Sequence, residues 1–341
     1  MTSGQGATVL GCAGPVLAPD EAAFFREADP FGFILFARNV ENPDQLRRLT
    51  DDLRAAVGRD ALITVDQEGG RVQRMRAPHW REWLPPLEQA EQIAASAGPE
   101  AATRSLWIVA RIIAAELRGA GIDSNCAPCA DIAGPDTHPF LRNRCLGTDP
   151  ATVTRNARTV AEGLLAGGVV PVMKHLPGHG RATVDSHLGL PVADVTLAAA
   201  ATWDFAPFRA LADLPMGMTA HIVLPELGDL PATQNPAAIR LIRESIGFDG
   251  LLLTDDLNMS ALAGDLRTRA ACAIAAGCDI ALHCSGKRPE MEAVVAAAGH
   301  LAGEAARRAT AALAARRDPD PVDIAALEAE LADLLTGKAH V

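Results

Sequence analysis

The segment 174–187, KHLPGHGRATVDSH, gathers one lysine, three histidines and an aspartate where regular structure cannot continue. Pro177, Gly178 and Gly180 exclude a helix or a regular central strand, so the stretch reads as a loop at the end of an apolar run. Within it, Asp185-Ser186-His187 has the i, i+2 spacing that puts two side chains on one side of extended backbone. A carboxylate accepting the Nδ1–H of an imidazole fixes its tautomer and raises basicity at Nε2. That pairing suits general acid/base chemistry near neutral pH. Ser186 has no GxSxG elbow around it, which makes a serine hydrolase a poor fit.

Two further segments carry charge to the ends of apolar runs. In 251–259, LLLTDDLNM, side chains alternate along the strand, so at most one of Asp255 and Asp256 enters a mouth directly. Periodicity leaves the choice open, and capping of the following helix is the plainer role for the other. In 62–76, LITVDQEGGRVQRMR, Asp66 ends a strand, Gly69-Gly70 permits a tight turn, and Arg71, Arg74 and Arg76 follow. The glycine pair forms neither GxGxxG nor a P-loop. A carboxylate among guanidinium groups suits sugar hydroxyls and a ligand carboxylate; one arginine could equally be a structural partner for Glu68.

The elements that must position these residues alternate. Apolar runs at 8–13, 32–36, 61–66, 122–127, 169–175, 215–221, 250–255 and 278–283 predict eight strands. Amphipathic stretches such as 43–57, 100–119, 153–167, 236–246 and 266–276 predict helices between them. Asn42-Pro43-Asp44 and Asp149-Pro150 read as helix starts. A doubly wound sheet and a closed (β/α)8 TIM barrel both fit this alternation. Asp66, His175, His221, Asp255 and His283 all fall at C-terminal strand ends, where barrel enzymes keep their chemistry, and this favours the α/β barrel. With no Gly- or Ser-rich linker, residues 1–341 are expected to be one domain, with the Ala-rich 288–341 as terminal helices packed outside.

The 341 residues carry a net charge of −11 and no basic run, which argues against a general nucleic-acid binder. No window is apolar enough for a membrane helix, and the N-terminus lacks a secretory pattern. Seven scattered cysteines suit reduced thiols, so the cytoplasm is the expected location.

Taken together, GFILFARN (32–39), VDQEGGRVQR (65–74), KHLPGHG (174–180), DSH (185–187), MTAHI (218–222) and LTDDLNM (253–259) resemble glycoside hydrolase family 3, in its bacterial β-N-acetylglucosaminidase branch. The resemblance covers residues 8 to about 285 in the family's order. It implies a TIM barrel in which Asp255 is the nucleophile and His187, oriented by Asp185, is the acid/base. It places sugar binding on Asp66, Arg74, Arg144, Lys174 and His175, with no cofactor and no metal. Arg74 and Lys174 are expected to act mainly in binding. Two departures stand out: Cys145-Leu146 replaces a polar or aromatic pair, and Arg181 replaces an acidic residue in a way that could alter the aglycone side. The implied substrate is a glycan, N-acetylglucosamine β-1,4-linked to anhydro-muramic acid with or without peptide, met in cell-wall recycling.

The competing readings are a family 3 glycosidase or phosphorylase of other sugar specificity and a metal-dependent barrel hydrolase using His175, His221, His283 and Asp255. No HxH or HExxH spacing supports the metal, and Lys174 would oppose a cation. Cys126-Ala127-Pro128-Cys129 is a single CxxC with no second half-site, which reads as buried barrel thiols.

Overall fold

Runs of Val, Ile, Leu and Phe without polar alternation make strands buried on both faces, the form taken by parallel sheets covered with helices. The computed structural model describes residues 6–186 and 188–337. Such runs form β1 (Gly6–Gly11), β2 (Pro30–Leu35) and β3 (Leu62–Val65). A short hairpin follows, β4 (Gln67–Gly69) and β5 (Val72–Gln73), and then β6 (Ser124–Asn125). The remaining strands are β7 (Val170–Leu176), β8 (Met216–Thr219), β9 (Leu251–Leu253) and β10 (Ala281–His283). Apart from the antiparallel hairpin, the pairings are parallel, in the orders β10-β1-β2-β3 and β6-β7-β8-β9.

These two arcs close into one barrel at two seams, each by the same device. At the β3/β6 seam, Asp123 N–H donates to the Ile63 carbonyl at 3.1 Å, and Cys126 N–H to that of Val65 at 2.8 Å. Asp123 Oδ1 then accepts the Ile63 N–H at 2.8 Å, where a strand carbonyl would normally stand. At the β9/β10 seam, Asp279 Oδ2 accepts the Leu252 N–H at 2.9 Å, and Thr254 N–H reaches the Ile280 carbonyl at 2.9 Å. Both carboxylates are buried and paired. Asp123 meets Arg54 at 3.2 Å and Arg316 at 2.9 Å; Asp279 meets Arg243 at 2.6 Å and Arg308 at 3.2 Å. Side-chain closure explains why β6 and the start of β10 are shorter than the apolar runs predicted.

The predicted helices are present. Pro43–Val57 starts on Asn42, which accepts the Gln45 N–H, and Pro150–Ala166 starts on Asp149, which accepts from Ala151 and Thr152. Leu241–Ile246 continues the helix Pro236–Arg240 as a π-helical turn. Beyond β10, the helix Arg288–Ala298 packs on β1 and on the helix Leu266–Ala276. The helix Gly303–Ala314 and the turn after it supply Arg308 and Arg316 to the two seams.

Candidate active site

The C-terminal strand ends open into a cavity of about 220 Å³, lined among others by Asp66, Arg74, Arg144, Lys174, His175 and Asp255. Six of the eight residues singled out from sequence therefore share one cavity wall. Asp66 follows β3, Lys174 and His175 lie within β7, and Asp255 lies just past β9. The Gly69-Gly70 turn, with φ of 109° and 56°, folds the hairpin so that Arg74 returns to Asp66. Gly180 lies against the neighbouring rim loop, where a Cβ would come 2.2 Å from the Ile132 carbonyl oxygen.

One wall is a lattice of charge. Lys174 is 1% exposed, its Nζ lying 2.8 Å from Asp66 and 2.6 Å from Glu68. Arg74 reaches the other Asp66 oxygen at 2.9 Å, and Arg144 grips both Glu68 oxygens at 2.9 and 2.8 Å. Burial alone would raise both carboxyl pKa values. Lys174 and Arg74 nevertheless hold Asp66 well below the usual carboxylate range, and Arg144 and Lys174 hold Glu68 at about 2. Burial works against the Lys174 ammonium too, yet the two carboxylates raise its pKa. Glu68 thus takes its partners from Arg144 and Lys174; Arg74 goes to Asp66, and Arg76 to Glu82 at 2.7 Å. Truncating Lys174 would take from Asp66 and Glu68 the ammonium they share, leaving each with its arginine alone, so a pure binding effect is to be sought at Arg74 and not at Lys174.

His175 is fixed from both sides. Its Nδ1 lies 2.6 Å from Asp131 Oδ2, and Arg144 Nη2 lies 3.3 Å from its Nε2. Arginine only donates, so Nε2 accepts and Nδ1 carries the proton toward Asp131. Asp131 also accepts the His179 N–H at 2.6 Å. Although burial would raise it, its electrostatic interactions with His175 and His179 and these hydrogen bonds bring Asp131 down to about 2. The Lys174–His175 peptide is cis.

Both Asp255 and Asp256 lie past the end of β9 and line the cavity, so strand alternation does not separate them as expected; their partners do. Asp255 is pushed up by burial, but His221, His175, the Asp256 N–H at 2.8 Å and Lys174 overcome this and hold it below the ordinary carboxylate value. Asp256 is raised to about 6, by burial first and then by the charge of Asp255. Its Oδ1 accepts the N–H groups of Asn258 and Cys284 at 3.1 and 3.2 Å, a turn-capping role. His221 Nε2 donates to the Asp256 carbonyl at 3.0 Å, bracing this turn from behind.

His221 and His283 are not among the cavity-lining residues. His283 lies 2.9 Å from Ser285 and 3.5 Å from Glu290. The ligand set of the metal-hydrolase alternative is therefore not assembled around the cavity. Asp185 stands at the rim. Its charge acts on Arg71, which lines the cavity, as does its neighbour Ser186. His187 lies outside the described residues. Arg181 does not line the cavity; it pairs with Asp204 at 2.8 Å and anchors the start of the loop.

Sequence reasoning missed Asp131, and left His179, Phe140 and Arg71 without roles. Asp131 had a usable signal, an aspartate a few residues past a strand and beside Pro128. After β6, however, the chain pairs with β7 through Val172 N–H to Ala127, Lys174 N–H to Pro128 and Ala130 N–H to Lys174 along Ala127-Pro128-Cys129-Ala130, so no long apolar run marked the rim there.

Comparison with known proteins agrees with this geometry. The profile described as the glycosyl hydrolase family 3 N terminal domain matches residues 21–314. A β-hexosaminidase of Bordetella avium is 38% identical over 291 residues, covering 84% of this chain and 82% of that protein. One of Methylococcus capsulatus is 37% identical over 309 residues, covering 89% and 90%. The crystal structure of NagZ from Neisseria gonorrhoeae in complex with N-trifluoroacetyl-D-glucosamine superposes with a TM-score of 0.84 at 30% identity, covering 99% of each chain.

Proposed function

This chain belongs to glycosyl hydrolase family 3, and from that premise we propose that it removes terminal β-linked N-acetylglucosamine with retention, through a covalent ester on Asp255. It is a glycoside hydrolase of the β-hexosaminidase type. The observation that carries the mechanism is an ionised Asp255 facing a preassembled wall of Asp66, Arg74, Arg144, Lys174 and His175 in one cavity. The wall offers donors and acceptors to the hydroxyls of one sugar ring, which places the anomeric carbon against the free carboxylate. The gonococcal relative's ligand supports an N-acylated amino sugar in this position.

In the first step Asp255 attacks the anomeric carbon while His187, as imidazolium, protonates the departing glycosidic oxygen. In the second, His187 takes a proton from water, which displaces Asp255. Asp185 keeps the imidazole oriented and basic. Most retaining glycosidases use a second carboxylate here; a neutral imidazole base brings no negative charge to the acceptor side. The substrate proposed is N-acetylglucosamine linked to an anhydro-muramic residue, with or without peptide, handled in the cytoplasm during cell-wall recycling. Among the described residues no helix is long and apolar enough to cross a membrane.

A mechanism-based fluorinated N-acetylglucosaminide tests the nucleophile. Mass spectrometry should find the label on Asp255, and a label on Asp256 would overturn the assignment. The acid/base is tested by His187→Ala across leaving groups of graded acidity. Activated nitrophenyl substrates should retain appreciable glycosylation, with a burst, whereas a natural disaccharide should not react. Equal loss on all substrates would mean that His187 transfers no proton.

A further inference from the structure

His179 lines the sugar cavity, yet the mechanism gives it no part. Its place in the loop is fixed by its neighbours. Gly178 and Gly180 press so closely on other segments that a Cβ would fall 3.0 Å from the Asp204 carbonyl oxygen and 2.2 Å from that of Ile132. The His179 N–H donates to Asp131 Oδ1 at 2.6 Å, and its carbonyl accepts the Ala182 N–H at 2.9 Å. The residue is only 3% exposed, and its Nδ1 is buried without a hydrogen-bond partner. A proton there would be a buried donor with nothing to meet, whereas an unpaired ring lone pair costs less. The proton therefore sits on Nε2. Nε2 has no partner among the described residues, and it is not sealed from solvent as Nδ1 is, so the imidazole opens on the cavity through its N–H.

We propose that His179 is a specificity-determining residue, whose neutral imidazole donates its Nε2–H to the carbonyl oxygen of the sugar's 2-acylamino group. In the glycosidase reading, on which this role rests, C1 of the sugar meets Asp255. His175, Asp131 and Asp255 all act on His179 electrostatically, and the centre of the His175 ring is 5.6 Å from its own. A hydrogen bond from His179 therefore falls beside the reacting carbon. Two acceptors flank that carbon, the ring oxygen and the acyl carbonyl carried on C2. The ring oxygen shares the positive charge of the oxocarbenium-like transition state, which a donor would oppose. The acyl carbonyl gains from a donor throughout.

Charge favours the same assignment. Arg74, Arg144 and Lys174 are each balanced by Asp66 or Glu68, so the cationic donors of the wall come with their counter-ions. His179 has no carboxylate hydrogen-bonded to its ring; burial first, and then the electrostatic effect of His175, keeps it neutral with a pKa of about 4. A neutral donor can stand beside a carbon that becomes positive without opposing it. Holding the carbonyl also serves the chemistry. An acylamino carbonyl on C2 can itself attack C1, as it does where the substrate assists its own cleavage. A hydrogen bond from His179 occupies a lone pair of that oxygen and leaves the attack to Asp255.

Two ratios measured on the full chain test this. One is kcat/KM for a nitrophenyl β-N-acetylglucosaminide over that for the matching β-glucoside; the other is the affinity for N-acetylglucosamine over that for glucose, by calorimetry. His179→Ala should lower both ratios by about tenfold. His179→Gln, whose amide can place an N–H near the position of Nε2, should recover most of the loss. His179→Leu, of similar bulk but without a donor, should not. If the alanine variant does not fold, as judged by its melting transition, the glutamine and leucine variants carry the same test. Ratios unchanged in the alanine or leucine variant overturn the role, because His179 would then serve only Asp255 or the loop. A glutamine variant as poor as the leucine one overturns it too, since shape and not the donor would matter. The affinity ratio needs no turnover, so it decides the role of His179 even where the parent cleaves neither glycoside, an outcome that would count against the glycosidase reading alone.

Discussion

The barrel carries buried carboxylate–arginine clusters at both ends, built from similar groups to opposite ends. At the N-terminal ends of β6 and β10, Asp123 and Asp279 each have two arginines and a backbone N–H as partners. At the C-terminal ends, Asp66 and Glu68 are matched by Lys174, Arg74 and Arg144, while Asp255 a short distance away has its own N–H neighbour and faces the cavity. The lower clusters replace missing strand ladder and stabilise the fold. The upper one surrounds a cavity, so its surplus hydrogen-bonding capacity is available to a ligand. Barrels in general separate stability from chemistry between the two ends; here the same side-chain chemistry serves both, and what differs is whether a carboxylate is left facing open volume.

The sharpest way to break this contrast is to remove one aspartate from each end. Asp255→Ala should cut turnover by at least about a thousandfold, since no neighbouring group replaces the nucleophile, while the melting temperature stays close to that of the parent. Loss of folding in that variant would show that Asp255 belongs with the structural carboxylates. Asp279→Ala should do the reverse. Stranding Arg243 and the Leu252 N–H should cost about 3–5 kcal/mol of stability, with KM of the folded fraction unchanged. A urea midpoint equal to that of the parent would remove the seam argument.

Smaller effects sharpen the comparison. Arg74 is a quarter exposed at the cavity edge, so Arg74→Ala should raise KM by about tenfold with little change in melting. A fall in kcat at constant KM would mean that Arg74 acts only in the transition state. The smallest effect is acid sensitivity. Burial depresses His179 and His283 to about 4 from an ordinary 6.5. The folded state therefore binds fewer protons than the unfolded one over that interval, and stability present above pH 6.5 is lost as pH falls toward 4. Glu68 and Asp131, both held at about 2, add a second loss from the ordinary carboxylate range down to 2. Urea unfolding that gave the same stability at neutral pH and at about pH 4.5 would contradict this.

How much was legible beforehand depended on whether a property is local. Apolar runs, proline and glycine positions and capping residues act over a few residues, so the eight barrel strands, the principal helices and the rim positions of Asp66, Lys174, His175 and Asp255 could be read from the chain. The contact of Asp131 with His175 could not, because it depends on Pro128 and Ala130 lying beside Lys174 across more than forty intervening residues. The choice between Asp255 and Asp256 also lay beyond strand periodicity; the resemblance made it, and the turn braced by His221 gives it a physical basis. Glu68 found its partners in Arg144 and Lys174, which sequence distance hid, so Lys174 is a buried charge shared between two carboxylates as well as a residue of the cavity wall. The sequence by itself determined which groups could reach the rim. Only the tertiary structure decided which of them neutralise one another, because ion pairing depends on distances between segments that the order of residues does not contain.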